Sequence, residues 1–298
     1  MQTAKRILSY HHDYHQAVVY KIYCALKPNP LTGAGMEIYT TYEECLEIIK
    51  GVHAMSLGMR QIIYLVGWQH KGHDSKYPDW SEFNESLKRP CDASARDSFL
   101  WLYEEAKQYN AVVSVHICMD DAVESSPLWD VYVQNDLIIR ETDGALRKGG
   151  VWGGEQSYLI SKTREWQTGF AQKRLDCLME MLPLREAGTV HIDVFQPNEN
   201  PYYGITREME METLKEIIRY LNSQGVDITK EWFHTELAGY IPMAYHFNWD
   251  ERHRLAIPPH VACGGGDLWN VRCAASPPAI QDISVAAFPE QVAPTSIF

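Results

Sequence analysis

Two acidic side chains, Asp193 and Glu231, have the types and spacing that glycosidic bond cleavage requires. They lie in the apolar runs 188–195 and 225–233, with a helical pattern between the runs. If these runs are consecutive parallel strands, the acids at their ends lie about 5 to 6 Å apart, because neighbouring strands are about 4.8 Å apart. A retaining glycosidase needs that separation: one carboxylate attacks the anomeric carbon and the other protonates the leaving oxygen. Acids at strand ends are also often purely structural in an acidic protein.

The two acids would need different surroundings. Asp193 must stay ionised, and His191 on the same strand face is a candidate hydrogen-bond donor. Glu231 must hold a proton near neutral pH, which the adjacent Trp232 would favour by reducing the local polarity. Glu236, five residues further on, is the alternative acid.

The apolar patterns of the sequence predict the strands and helices that position these acids. The runs 60–68 and 111–117 predict strands buried on both faces of a parallel sheet. Helical periodicity separates the predicted strands and lies near residues 41–58, 94–109, 163–182 and 206–223. This alternation predicts the α/β class and a (β/α)₈ TIM-type barrel, in which catalytic groups lie at the carboxyl ends of the strands.

The C-terminal end of the barrel is less well defined by the sequence. Few residues follow Glu231, and only 242–247 and 260–263 are strand candidates there, so an abbreviated or truncated barrel is an alternative. We predict a catalytic barrel at 1–270 and a weakly structured tail at 271–298. The excursion 122–162 has little periodicity and is predicted to be a functional loop.

Composition limits the class of partner. With 27 Lys and Arg against 39 Asp and Glu the net charge is −12, which argues against nucleic acid or an anionic membrane and favours a neutral substrate. No apolar run approaches the roughly 20 residues of a membrane span. Seven cysteines without a Cys-x-x-Cys pair indicate a reducing compartment. The chain as given is expected to be cytoplasmic, or secreted if a targeting segment has been removed; its oligomeric state is open.

A metal centre is an alternative use of the polar residues at the predicted strand ends. The candidate ligands are His116, Asp120, His191 and His234. We prefer hydrogen bonding to sugar hydroxyls and predict no metal. The Gly-rich segments 149–154 and 264–266 lack the lysine and Ser/Thr of a phosphate-binding loop, so no nucleotide cofactor is predicted either.

Three short motifs resemble a known family. Gly-His-Asp-Ser-x-x-Pro-Asp at 72–79 follows the predicted strand 60–68, Ile-Asp-Val-Phe occupies 192–195, and Gly-x-x-x-Thr-x-Glu-Trp occupies 225–232. Together and in this order they resemble the catalytic barrel of the endo-α-N-acetylgalactosaminidases, glycoside hydrolase family 101, with family 129 as the related α-N-acetylgalactosaminidases. The resemblance covers roughly residues 38–265 of this chain.

The resemblance implies a retaining hydrolase of α-linked N-acetylgalactosamine in Ser/Thr-linked O-glycans. By motif, Asp193 matches the nucleophile, Glu231 the acid/base and Asp74 a carboxylate that binds sugar hydroxyls, while Trp152 matches more loosely a tryptophan that shapes the pocket. Family 101 enzymes are long, secreted and multidomain, whereas this chain has 298 residues, so endo action, exo action and a related glycosidase acting on another sugar all stay open.

The remaining candidate substrate contacts are predicted from their position at loop mouths and strand ends. They are Trp68, His73, His116, His191 and Glu236. The alternatives to a glycosidase are a non-catalytic carbohydrate-binding barrel and a metal-dependent hydrolase.

Overall fold

Six parallel strands and one antiparallel strand form the main sheet of the computed structural model, which describes residues 7–246 and the backbone of 282–285. In chain order the strands are β1 (Ala17–Tyr23), β2 (Ala25–Leu26), β3 (Glu37–Ile38), β4 (Arg60–Val66), β5 (Ala111–Cys118), β6 (Asp121–Val123), β7 (Lys148–Trp152), β8 (Glu155–Leu159), β9 (Thr189–Asp193), β10 (Asp227–Trp232), β11 (Ala244–His246) and β12 (Asp282–Val285). The α-helices are α1 (Tyr42–Met55), α2 (Ala95–Ala106), α3 (Trp129–Gln134), α4 (Lys162–Gln167), α5 (Phe170–Met181), α6 (Leu184–Ala187) and α7 (Arg207–Ser223).

The main sheet has the order β11-β10-β9-β5-β4-β1-β12 and curls on itself. Lys21 of β1 lies 4.6 Å from the ring centroid of Tyr245 of β11, although the two strands are at opposite ends of the parallel part. Val19, Tyr64 and Met243 join Tyr245 in a buried cluster on the same concave face. The α/β, barrel-like prediction is therefore confirmed as a parallel half-barrel, while eight strand and helix units are not seen in the described part of the chain.

Successive side chains along β9 point to opposite faces of this sheet, apolar ones toward the helices and polar ones toward the concave face. In β9, Val190 and Ile192 belong to the large apolar core shared with the helices, whereas His191 contacts Tyr64 and Tyr245 on the concave face. All residues of β5 are buried, as the continuous apolar run predicts. The large apolar core lies between the sheet and the helices, whereas the concave face carries polar side chains such as His191 beside its smaller buried cluster.

Local signals set several element boundaries. A capping box begins α1, because Thr41 N donates to Glu44 Oε2 at 2.8 Å and Glu44 N donates to Thr41 Oγ1 at 3.3 Å. The single helix predicted at 163–182 is wrong: Gly169, at φ +79°, separates α4 from α5.

The segment 122–162 has more structure than the sequence predicts. Strands β6, β7 and β8 form a three-stranded antiparallel sheet, and α3 packs beside it through a small core that includes Ala122, Tyr132 and Ile160. The strands are short, and β6 pairs with the distant β8, where Asp121 lies opposite Leu159, so this pairing was not visible in a local window; β7 and β8 form a hairpin. In the predicted tail, the backbone of 282–285 pairs antiparallel with β1; the strand candidate 260–263 lies outside the described residues.

None of the helices in the described ranges is both long enough and apolar enough to cross a bilayer.

Gly67 leads out of β4 toward the 69–79 loop and packs closely against the backbone of Ala25. Its φ is +77°, and a Cβ there would lie 2.0 Å from the Ala25 carbonyl oxygen. We therefore expect Gly67→Ala to lower the free energy of unfolding by about 2 kcal/mol or more in urea denaturation. The control is Gly51→Ala in α1, where nothing lies within 4 Å of the added Cβ and a gain of roughly 0.5–1 kcal/mol is expected. Wild-type stability of Gly67→Ala would contradict the argument.

Candidate active site

Asp193 and Glu231 meet on the concave face of the sheet, at the carboxyl ends of neighbouring strands. Strands β9 and β10 pair in parallel up to Ile192 and Lys230, so Asp193 and Glu231 are the next residues in register. The Glu231 carboxyl hydrogen-bonds to Asp193. The structure thus brings the two acids predicted from the sequence into direct contact.

Asp193 is held in its ionised form. Burial alone would raise its pKa, but the charge and hydrogen bond of His116, followed by His73 and Lys21, outweigh burial and hold the pKa well below its ordinary value. His116 Nε2 lies 3.4 Å from Asp193 Oδ2. Burial lowers the pKa of His116 to about 4, so its ring is positively charged in the acid range in which Asp193 would otherwise take up a proton, and it is neutral at neutral pH.

Glu231 has the opposite tendency. Burial is the largest cause, followed by the negative charge of Asp193 and the hydrogen bond to it, and together they raise the pKa of Glu231 to about 8. Lys21 and the backbone N–H of Val194, which donates to Glu231 Oε2 at 3.2 Å, oppose the rise. Near neutral pH this site therefore holds one carboxylate and one carboxylic acid side by side, the arrangement that divides nucleophile from acid.

The loop after β4 adds His73 and Asp74 to the same site. The His73 ring packs edge-on against His116, with ring centroids 5.2 Å apart, and His73 Nε2 lies 3.4 Å from Asp74 Oδ1. Asp74 has φ +61°, a conformation in which asparagine and aspartate are enriched. Burial is the main cause that raises the pKa of Asp74, and the charge of Asp193 adds to it.

His191 lies one layer below the two acids. Its ring stacks on His116 with centroids 5.2 Å apart, and its Nδ1 lies 3.0 Å from Thr229 Oγ1. Because His191 is fully buried, it supports His116 from beneath, and its predicted direct contact with the sugar is wrong.

The predicted role of Trp68 as a sugar contact is also wrong. The sequence placed it at a loop mouth as a sugar contact, but its side chain is fully buried against Phe83. Its indole N–H donates to the backbone oxygen of His116 at 3.0 Å. Trp68 thus braces β5 from the helix side of the sheet and offers no ring face to a sugar.

Trp152 lies on the β7–β8 hairpin with 44% of its surface exposed. The indole packs over Gly150, where an added Cβ would come within 2.3 Å of the ring. At the tip of the hairpin, Gly153 packs against the Lys27 side chain, and Lys27 Nζ pairs with Glu155 at 2.8 Å. The hairpin is therefore anchored to the segment after β2, with the Trp152 ring available to a ligand.

Glu236, the alternative acid, is set apart from the acid pair chemically. It is exposed and pairs with Arg207 at 3.0 Å. The hydrogen bond from its own backbone N–H is the largest cause that lowers the pKa of Glu236 to about 2, and the hydrogen bond from Arg207 is the next. It is ionised at neutral pH, and so cannot supply a proton there.

The predicted metal ligands do not form one group. Asp120 pairs with Lys162 at 2.7 Å, and His234 Nδ1 lies 2.9 Å from Lys230 Nζ. Among the described residues, donor atoms within 4.8 Å of one another belong to His73, His116 and Asp193. Of these three, Asp193 is the candidate nucleophile, and the two imidazoles lie beside it.

Lys21 is a site residue that the sequence analysis missed. It is buried on the concave face of β1 and acts electrostatically on Asp193 and Glu231. The available signal was a lone lysine in the otherwise apolar strand Ala17–Tyr23, since lysine is rarely fully buried without a partner.

Lys21→Met should raise the pKa of Glu231 further, because the Lys21 cation lowers it in the wild-type protein. The pKa can be followed by carboxyl-carbon NMR of the folded protein, without any substrate. Lys50→Met is the control, since Lys50 is paired with Glu47 on the surface of α1. A fall in the pKa of Glu231 in Lys21→Met would contradict this electrostatic assignment.

Comparison with solved structures identifies proteins with the same barrel-like fold. The α-N-acetylgalactosaminidase NagBb from Bifidobacterium bifidum, in its GalNAc complex, matches with a TM-score of 0.63 and 16% identity, over 80% of this chain and 37% of that chain. An α-galactosidase from Thermus thermophilus in complex with stachyose matches with a TM-score of 0.51 and 15% identity, over 85% and 49%. The chain thus spans well under half the length of NagBb.

No curated protein matches the chain by sequence. The family model of the endo-α-N-acetylgalactosaminidases matches residues 35–254, close to the range of the resemblance carried by the three motifs. That match covers most of the chain and includes both acids, the His73–Asp74 loop and His116. The chain therefore belongs to the endo-α-N-acetylgalactosaminidase family, glycoside hydrolase family 101.

Proposed function

We propose that this protein hydrolyses α-linked N-acetylgalactosamine of Ser/Thr-linked O-glycans with retention of anomeric configuration. The observation that supports this most strongly is the contact between Asp193 and Glu231, whose pKa values are displaced in opposite directions. Family membership supports the sugar class.

In the first step an Asp193 carboxylate oxygen attacks the anomeric carbon as the bond to the glycosidic oxygen breaks. Glu231 transfers its proton to that departing oxygen, and the sugar is left covalently bound to Asp193. In the second step Glu231, now ionised, removes a proton from water. The water oxygen bonds to the anomeric carbon, Asp193 leaves as carboxylate, and Glu231 regains its proton.

The contact between the acids supports retention over inversion. An inverting enzyme places its two carboxyl groups about 6.5–9.5 Å apart, because a water must fit between the base and the sugar. Asp193 and Glu231 hydrogen-bond to each other directly. A double displacement uses carboxyl groups only about 5–5.5 Å apart, so two acids this near each other fit it better than the wider inverting arrangement.

Sugar recognition would use the polar groups beside the acids. Asp74 and His73 lie beside Asp193 and present carboxylate and imidazole groups suited to sugar hydroxyls, whereas the 2% exposed His116 is taken up by its contact with Asp193. The exposed ring of Trp152 is the proposed apolar platform, and its anchored hairpin would hold that platform in place.

The test is a panel of p-nitrophenyl α-glycosides of N-acetylgalactosamine, galactose, glucose and the Gal-GalNAc core disaccharide, with products followed by proton NMR. Initial release of the α-anomer from an N-acetylgalactosaminide is expected. Cleavage of the disaccharide substrate alone would indicate endo action. Initial release of the β-anomer would reject the double displacement, and binding without release would favour a carbohydrate-binding barrel.

A metal-dependent hydrolase is the second candidate, because the donor atoms of His73, His116 and Asp193 lie within 4.8 Å of one another. Prolonged dialysis against a strong chelator separates the two. Unchanged turnover is expected for two carboxyl groups, whereas loss of turnover that zinc restores would favour the metal enzyme.

A further inference from the structure

The turn that follows Asp193 has an unusual backbone. Strand β9 ends at Asp193, and the next two residues, Val194 and Phe195, have φ values of +51° and +52°. For residues with a Cβ, and above all for β-branched valine, this conformation is uncommon, and it costs about 1–3 kcal/mol per residue. The expected continuation of the strand to Phe195 is therefore wrong, and the turn needs support from elsewhere.

A buried carboxylate provides that support. Asp120 Oδ2 accepts a hydrogen bond from Phe195 N at 2.6 Å, and its Oδ1 accepts one from Gln196 N at 3.1 Å. Lys162 Nζ donates to Oδ1 at 2.7 Å, and the Asp120 and Lys162 side chains are 1% and 0% exposed. Charge-assisted hydrogen bonds of this kind are roughly twice as strong as neutral ones.

Lys162 is itself fixed by its place at the start of α4. The backbone N–H groups of Lys162 and Thr163 donate to the buried Glu210 of α7 at 2.8 and 2.9 Å. The support of the turn thus extends from Asp120 through Lys162 into the two helices α4 and α7.

The supported turn touches both acids. It begins at Asp193, and its Val194 N–H donates to Glu231 Oε2 at 3.2 Å. We propose that Asp120 is a positioning residue, which acts through the 194–196 turn to set the place of Asp193 relative to Glu231. This inference rests on the proposed function, because the geometry it protects is that of the glycosidase reaction.

A matched control separates positioning from plain stabilisation. Asp227 is also 1% exposed, and its Oδ2 also accepts two backbone N–H groups, from His11 at 2.8 Å and His12 at 3.3 Å. It lies at the opposite end of β10 from Glu231. Asp227→Asn thus removes an equivalent buried carboxylate without touching the turn.

The experiment compares Asp120→Asn and Asp227→Asn by thermal unfolding, hydrogen exchange over residues 189–200, and steady-state kinetics on a glycoside that the wild type cleaves. Both variants are expected to unfold at lower temperature. Asp120→Asn alone should lose amide protection at Phe195 and Gln196, and its kcat should fall by about 100-fold with little change in KM.

Asp120→Glu is the second variant in case Asp120→Asn does not fold. It keeps a charge for Lys162 but moves the carboxylate by one methylene, so kcat should still fall. Protected amides together with the kcat of Asp227→Asn, in either Asp120 variant, would overturn the proposal. If the wild type cleaves no glycoside, the proposed function fails by itself, and amide exchange then decides whether Asp120 holds the turn. Rapid exchange at Phe195 and Gln196 in the Asp120 variants would support the role of Asp120 in the turn. Retained protection of these amides would overturn that role.

Discussion

Asp193→Asn should reduce kcat on the proposed α-glycoside substrates by on the order of 10³-fold or more, with the fold retained. An amide is nearly isosteric with the carboxylate but is a far weaker nucleophile, and it cannot leave as an anion in the second step. Steady-state rates and circular dichroism on the same preparation measure the two expectations. Asp227→Asn serves again as the control, because it makes the same substitution at a buried site away from the acid pair.

A smaller side chain gives a more specific version of this test. In Asp193→Ala, added azide can occupy the space of the lost carboxylate and attack the anomeric carbon directly. The product should be a glycosyl azide of inverted configuration, formed in one displacement. Wild-type turnover in Asp193→Asn, or an azide product of retained configuration, would show that Asp193 is not the nucleophile.

The wild-type value of kcat/KM should fall as pH rises through about 8, because Glu231 acts as an acid only while it is protonated and its pKa is raised to about 8. The sign follows from the direction: below that pKa the proton is present, and above it the leaving oxygen has no donor. Glu231→Gln should lose this alkaline limb and should lose activity most with poor leaving groups. A pH series of kcat/KM with two or more aryl leaving groups measures both effects.

Glu236→Gln is the control for the acid. The pKa of Glu236 is lowered to about 2, its own backbone N–H and then Arg207 being the main causes, so this residue is already ionised at neutral pH. We expect Glu236→Gln to keep both the rate and the alkaline limb. If the limb disappears in Glu236→Gln and persists in Glu231→Gln, the two acids must exchange roles.

The candidate acids could be predicted from the sequence because each sits in a short apolar run with a strong local pattern. Alternation in 188–195 placed His191 and Asp193 on the face opposite Val190 and Ile192, and this is confirmed up to Asp193. The pattern could not show where the strand stops, because the left-handed turn at Val194 depends on the distant Asp120.

The exposure of the tryptophans could not be predicted from the local sequence either. Trp68 and Trp152 both border glycine, and both looked like platforms at loop mouths. One is fully buried behind β5 and the other is 44% exposed on a hairpin. Burial depends on which distant segment packs over a ring, and no short window of sequence contains that information.

By itself the sequence determined the alternation of strands and helices, the place of both acids at strand ends and the family motifs, because these depend on residue periodicity and short spacing. Tertiary structure alone decided the protonation of the acids, the contribution of Lys21, and the support of the turn by Asp120 and Lys162. The physical reason is that pKa values and strained turns depend on burial and on charges brought together across the curled sheet, from positions far apart in the chain.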